Sequence, residues 1–190
     1  MTASLLRTSP LGEREAEFAA SGMDIREAGF RTMVNVRVDS ASAAADAIGI
    51  ALGVPLPVVP NTVCSGGERA AVWLGPDEWL IYGADGDASR IIELATEALG
   101  TVSGSVLDLS ANRTTIEISG ARAREVLAKG CALDLHPRVF GEGHCAQTLI
   151  GKTQVLLWQY GNTPDYRILV RASFADYLAD WLLDAAASRW

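Results

Sequence analysis

An α+β fold of two split β-α-β-β-α-β units, with antiparallel sheets and helices packed on one face, is predicted by three observations on this sequence. Short β-branched runs alternate with helical periodicities in an order that occurs twice along the chain. Neighbouring strand runs are joined by short turns rich in Gly, Pro, Asp and Asn, as hairpins require. The helical segments carry their apolar residues, many of them alanine, on one side, which suits close packing against a sheet.

Residues 1–29 mix Arg, Glu, Ser and Gly with scattered apolar positions. They read as an arm that buries little on its own and is either mobile or laid across a partner. The domain follows over 30–190, with approximate halves 30–104 and 105–190. Its first strand is Thr32 to Val38, where Met33, Val34, Val36 and Val38 precede a polar break at Asp39. Ser40 can cap the next helix, which carries Ala41, Ala44, Ala45, Ile48, Ala51 and Leu52 until Gly53 and Pro55 stop it. Prolines 55, 57 and 60 with Gly66-Gly67 make an extended connection. Arg69 to Leu74 and Glu78 to Tyr82 form a hairpin across Gly75-Pro76-Asp77. Asp87 or Ser89 opens a helix bearing Ile91, Ile92, Leu94, Ala95, Ala98 and Leu99, closed by Gly100.

The second unit repeats the pattern without repeating the residues. Ser105 to Leu109 and Thr114 to Ile118 read as strands, and Ala121 to Lys129 as a helix. Gln147 to Ile150, Gln154 to Gln159 and Tyr166 to Val170 read as three more strands. A last helix begins at a Ser173 and Asp176 capping box, with Phe174, Tyr177, Leu178, Trp181, Leu182 and Ala185 on one face.

Composition narrows the function. The 190 residues are 49% hydrophobic and 21% charged, ordinary values for a globular domain with a sizeable core. A net charge of -7 argues against a nucleic-acid partner or an anionic membrane surface, because phosphate binding needs a basic face. The N-terminal residues lack the apolar core of a signal peptide, and apolar runs such as Val72 to Leu74 are far too short to span a bilayer. Three cysteines, Cys64, Cys131 and Cys145, leave one unpaired in any disulfide scheme and point to a reducing cytoplasm.

The chemistry-bearing residues favour bland roles. Cys131, His136, His144 and Cys145 are the right types for zinc, but they form no CxxC or HxxxH element. Adjacent His144 and Cys145 would also point apart in an extended segment. Buried small cysteines and loop histidines are the preferred reading, so no metal site is assigned. A Cys131 nucleophile would lie just after a helix C-terminus, where the macrodipole disfavours a thiolate. Gly141-Glu142-Gly143 and Gly66-Gly67 match no phosphate-binding fingerprint. Asp108, beside Ser110 and Asn112, reads as a turn former. Of the five tryptophans, Trp79 by a turn and Trp190 at the chain end are the two that could anchor a partner.

Three motifs carry a family resemblance: LGPDEWLI from Leu74, DLSANRTTIEISG from Asp108 and AREVLAKGCALDLHPRVF from Ala123. With CAQTLIGKTQVLLWQ and YRILVRASFADYLADWLLDA, they make the chain resemble the gamma subunits of bacterial heterotetrameric sarcosine oxidases. The resemblance runs from Thr32 to Ala185. It implies the folate-binding-domain fold of glycine-cleavage T-protein and YgfZ-type proteins, but no catalytic, cofactor-binding or metal residue on this chain. It further implies alpha, beta and delta partner subunits, of which alpha and beta hold NAD, FAD, FMN and the tetrahydrofolate site. The implied reaction is oxidative demethylation of sarcosine to glycine, with hydrogen peroxide formed and the methyl carbon passed to tetrahydrofolate. The alternative is a stand-alone tetrahydrofolate-binding aminomethyltransferase-like protein, whose pocket would need a carboxylate such as Asp108 or Glu117.

Overall fold

The computed structural model describes residues 7–161 and 163–188. In chain order these form α1 (Glu15–Ala20), β1 (Asp24–Glu27), β2 (Thr32–Val38), α2 (Ala43–Leu52), β3 (Val63–Gly66), β4 (Arg69–Gly75), β5 (Glu78–Gly83) and α3 (Ala88–Leu99). The chain continues as β6 (Gly104–Asp108), β7 (Arg113–Ser119), α4 (Ala123–Ala128), β8 (Cys145–Ile150), β9 (Thr153–Gln159), β10 (Tyr166–Arg171) and α5 (Ala175–Ala187). The strands make two five-stranded antiparallel sheets, ordered β6-β2-β5-β4-β3 and β1-β7-β10-β9-β8. Matched in order, the sheets have one topology, since β2-α2-β3-β4-β5-α3-β6 corresponds to β7-α4-β8-β9-β10-α5-β1. The α+β architecture of two related units is therefore present.

Two features differ from the sequence reading. The first sheet keeps β6, so the units do not divide between 104 and 105. The second sheet takes its last strand, β1, from the segment read as a loose arm. Leu11, Phe18 and Ile25 are buried in the second unit's core, and Arg14 bonds the carboxylates of Glu17 and Asp180. The low apolar content of residues 1–29 misled because three large side chains, correctly spaced, suffice once a sheet edge receives them. The segment 55–67 also contains more than a connection, because β3 pairs with β4 at its end.

Strand alternation gives each sheet two buried faces. In the first unit, Val34, Val36, Val38, Trp79 and Ile81 face α2 and α3. Ser42, two residues beyond the expected cap, accepts a bond from the Ala45 N–H, and Gly53 closes α2 at φ 68°, a left-handed conformation natural to glycine. In the second unit, Ile116, Ile118, Leu157, Ile168 and Val170 pack on Leu178, Ala179 and Leu182 of α5. No side chain caps the start of α5, and Phe174 and Tyr177 are partly exposed, so its buried face is shifted onto Ala175, Leu178, Ala179 and Leu182. Trp181 lies where a Cβ on Gly130 would come within 2.3 Å of its ring, so only glycine fits there.

The remaining sheet faces pack on each other. Met33, Ala70, Val72, Leu80 and Tyr82 of the first meet Cys145, Leu156, Trp158 and Leu169 of the second. The molecule thus has helices outside and two sheets inside. The sheets are also stitched at one edge, where Val63 donates its N–H to Gly143 at 2.8 Å and Cys145 to Asn61 at 2.9 Å. No helix among the described residues is long and apolar enough to cross a membrane.

Candidate functional site

Between the sheets lies a polar and aromatic seam. Glu117, on the inner face of β7, is only 4% exposed. β1 brings Arg26 opposite it, and β10 brings Arg167 from the other side. Arg26 donates to Oε2 at 2.9 and 2.7 Å, and Arg167 Nε to Oε1 at 2.9 Å. Burial pushes the carboxyl upward, but these bonds and charges prevail and hold it below the usual carboxylate range. The Arg167 guanidinium also stands 4.2 Å from the Tyr160 ring centroid, 4.9 Å from Trp158 and 5.2 Å from Tyr82. Tyr82 belongs to the first sheet, so one cation fastens both sheets. Such a carboxylate is a strut: both its oxygens are engaged, and abstracting a proton would break the network.

The residues that could have made a metal centre are dispersed. Cys131 lies in the helix-side core of the second unit, whereas Cys145 points into the inter-sheet core across the same sheet. Burial raises the Cys145 thiol to about 12, the opposite of an activated nucleophile. His136 is exposed and accepts a bond from the Arg138 N–H at 3.3 Å, while His144 Nδ1 lies 3.3 Å from the Gly141 carbonyl. Among the described residues no three His, Cys, Asp or Glu side chains are placed to hold one ion.

Asp108 is exposed, and its Oδ1 accepts from the Ser110 N–H at 2.8 Å and the Ser110 hydroxyl at 2.6 Å. That is the turn expected from the sequence. The residue also borders a cavity of about 320 Å³ that Glu27, Phe30, Arg31 and Arg113 help to line. Glu117 does not line it.

Trp79 requires a correction. It is fully buried among α2 and α3, and its indole donates to the Pro57 carbonyl at 2.8 Å, so it anchors the chain's own connection. Its place beside a turn was a poor guide, because strand alternation aims the side chain inward. Trp190 lies outside the described residues.

Beside that anchor the surface is apolar. A groove of about 530 Å³ runs between α2 and the following connection, lined by Ile50, Val54, Pro55, Leu56, Val58 and Trp79. Ile50 is 82% exposed, Val58 72% and Val59 60%. Isolated exposed apolar residues are common, but an apolar groove flanked by three of them has the character of an interaction surface. In the sequence these residues looked like an ordinary helix end and a proline-rich link. Only the fold shows them on one side of the molecule.

Comparison with known proteins places these features in a family. Residues 37–188 match the model of the sarcosine oxidase, gamma subunit family. The chain is 43% identical to the sarcosine oxidase subunit gamma of Corynebacterium sp. strain P-1, over 95% of this chain and 90% of that one. It is 41% identical to the same subunit of an Arthrobacter species, with the same coverage. Its structure resembles a chain of the heterotetrameric sarcosine oxidase from Corynebacterium sp. U-96, with TM-score 0.89 and 35% identity, covering 98% of this chain and 99% of that one. The fold alone is shared with the glycine cleavage system aminomethyltransferase T of Bartonella henselae, at TM-score 0.63 and 15% identity over 96% of this chain and 52% of that one. With this match in sequence and fold, the chain belongs to the sarcosine oxidase, gamma subunit family.

Proposed function

We propose that this chain is a non-catalytic gamma subunit that docks on the alpha subunit of a heterotetrameric sarcosine oxidase, with beta and delta subunits completing the assembly. The reaction served is oxidative demethylation of sarcosine to glycine, with tetrahydrofolate accepting the one-carbon unit and hydrogen peroxide released. FAD, FMN, NAD and tetrahydrofolate reside on the other subunits. A cytoplasmic location belongs to the same proposal and is supported by Cys64, Cys131 and Cys145, all free thiols.

The observation that carries the reading is the contrast between a locked interior and an open apolar groove. Glu117 is held by two arginines and Cys145 is pushed away from ionisation, whereas Ile50 and Val58 stand in solvent beside the groove. That distribution suits a subunit whose role is attachment. Co-expression with the flavin-bearing subunits tests it: the chain should co-purify with them in a stoichiometric, flavin-containing complex. Recovery of the chain free of them, with the flavoprotein fully active without it, would overturn the proposal.

A second reading, a stand-alone tetrahydrofolate-binding protein, draws support from the cavity beside Asp108. Saturable binding of tetrahydrofolate by the isolated chain, lost in Asp108→Asn, would favour it.

A further inference from the structure

The inner face of the second sheet extends beyond the cluster it shares with the first, so part of the second sheet is left uncovered. Past Leu156 and Leu169, its inner face continues into Gln147, Leu149, Gln154, Arg113 and Arg171, which line a cavity of about 520 Å³. Arg113 and Arg171 are direct cross-strand partners at the ends of β7 and β10. Both belong to the inner-facing series, two residues beyond Thr115 and Leu169. Like charges placed directly opposite are unfavourable unless something neutralises them.

Among the described residues neither arginine has a carboxylate within ion-pair distance, although eleven such contacts occur elsewhere. The acidic influence on Arg113 comes from Glu78, which already accepts from Asn35 at 2.9 Å and lies 4.0 Å from Arg37. Burial and the Arg171 charge together lower the Arg113 pKa, a further sign that the two cations feel each other. Two other partly buried arginines are matched, Arg69 by Asp87 and Arg167 by Glu117.

We propose that Arg113 and Arg171 form an anion-binding site that takes a carboxylate or phosphate group. The two guanidiniums offer forked donors to its oxygens, and Gln154 adds an amide donor at the wall, whereas the Gln147 amide already donates to the Leu74 carbonyl at 2.9 Å. Leu149, Leu156 and Leu169 form the apolar part of the same cavity, so the preferred ligand is an organic anion whose body is apolar. The oxyanion comes from a free small molecule or from an acidic side chain of a partner subunit. Both present the same group.

The test uses the full-length chain, titrated calorimetrically with inorganic phosphate, acetate and phenylacetate at low ionic strength. Saturable binding is expected, tighter for phenylacetate than for acetate. Arg171→Gln and Arg113→Gln should each weaken it at least ~10-fold, while Arg90→Gln, an exposed control, leaves it unchanged. Because each variant removes one member of a repelling pair, the melting temperature without ligand should stay the same or rise. Arg171 is exposed, so that variant should fold even if Arg113→Gln does not. Repeating the titration on the assembled complex separates the two sources. Retained binding marks a free anion, and binding lost only on assembly marks a partner's carboxylate. Absent binding by the wild-type chain, or binding by both arginine variants as tight as that of the wild type, would overturn the site. Neither failure bears on subunit assembly, which is measured separately.

Discussion

The two units share one topology but are closed differently. The first is continuous, with β6 returning beside β2 after α3, whereas the second borrows β1 from the opposite end of the chain. Their coverings differ too. α2 and α3, of ten and twelve residues, cover the first unit. In the second, α4 has six residues, and the cover is completed by α5, the arm and the connection carrying Cys131, Leu135 and Phe140. A shared arrangement can therefore be reached with covalent continuity or without it. Where continuity is missing, buried side chains and ion pairs must replace it.

This difference predicts where the protein breaks. Removing residues 1–29 should have the largest effect, abolishing cooperative unfolding of the second unit and producing aggregated or protease-sensitive protein. Within the arm, Phe18→Ala should lower the denaturant-derived unfolding free energy by about 3–5 kcal/mol, because Phe18 is buried among residues of the second core. An arm that could be removed with no loss of stability would erase the distinction between the units.

Next comes the seam. Glu117→Gln leaves Arg167 facing a neutral group and should cost about 2 kcal/mol, less than a fully buried pair because Arg26 is well exposed. The same network has a pH signature. Because the folded-state pKa of Glu117 is depressed, its contribution is present above the unfolded value and is lost as pH falls through the folded one. Stability should therefore decline below pH 4.5, and Glu117→Gln should flatten that part of the profile in urea melts across pH. An unchanged profile would remove Glu117 from the account. In the first unit, Trp79→Phe should cost about 1–2 kcal/mol by leaving the Pro57 carbonyl without its indole donor. The smallest effect on stability should come from Ile50→Asp, within about 0.5 kcal/mol because the residue is exposed. Its effect should instead appear as weaker association with the flavin-bearing subunits in a binding titration.

Much of this fold was legible in the sequence because the strongest strands are β-branched runs. β2 was read at its observed limits, Thr32 to Val38, since valines alternate along it and both of its faces find a core. β1 escaped because four residues, Asp-Ile-Arg-Glu, carry one apolar side chain and no strand periodicity. Its identity comes from pairing with a segment more than 80 residues away. The site was legible only in fragments. Glu117 was singled out as a carboxylate, but its arginine partners lie 91 and 50 residues distant, so its structural role emerged only with the sheet register. The Asp108 turn was local and therefore readable. The apolar groove joins a helix end to a loop, and the arginine pair joins two strands, relations that no short window contains.

The central claim, that this chain attaches without taking part in the chemistry, is tested most directly by the turnover per flavin of an assembled complex carrying Asp108→Asn in this subunit. The chain's exposed candidate carboxylate is thereby neutralised while its turn is nearly preserved. Turnover within about twofold of wild type is predicted, whereas removing a general acid or base typically costs 10²-fold or more. A loss of that size in an intact, fully flavinylated complex would contradict the account.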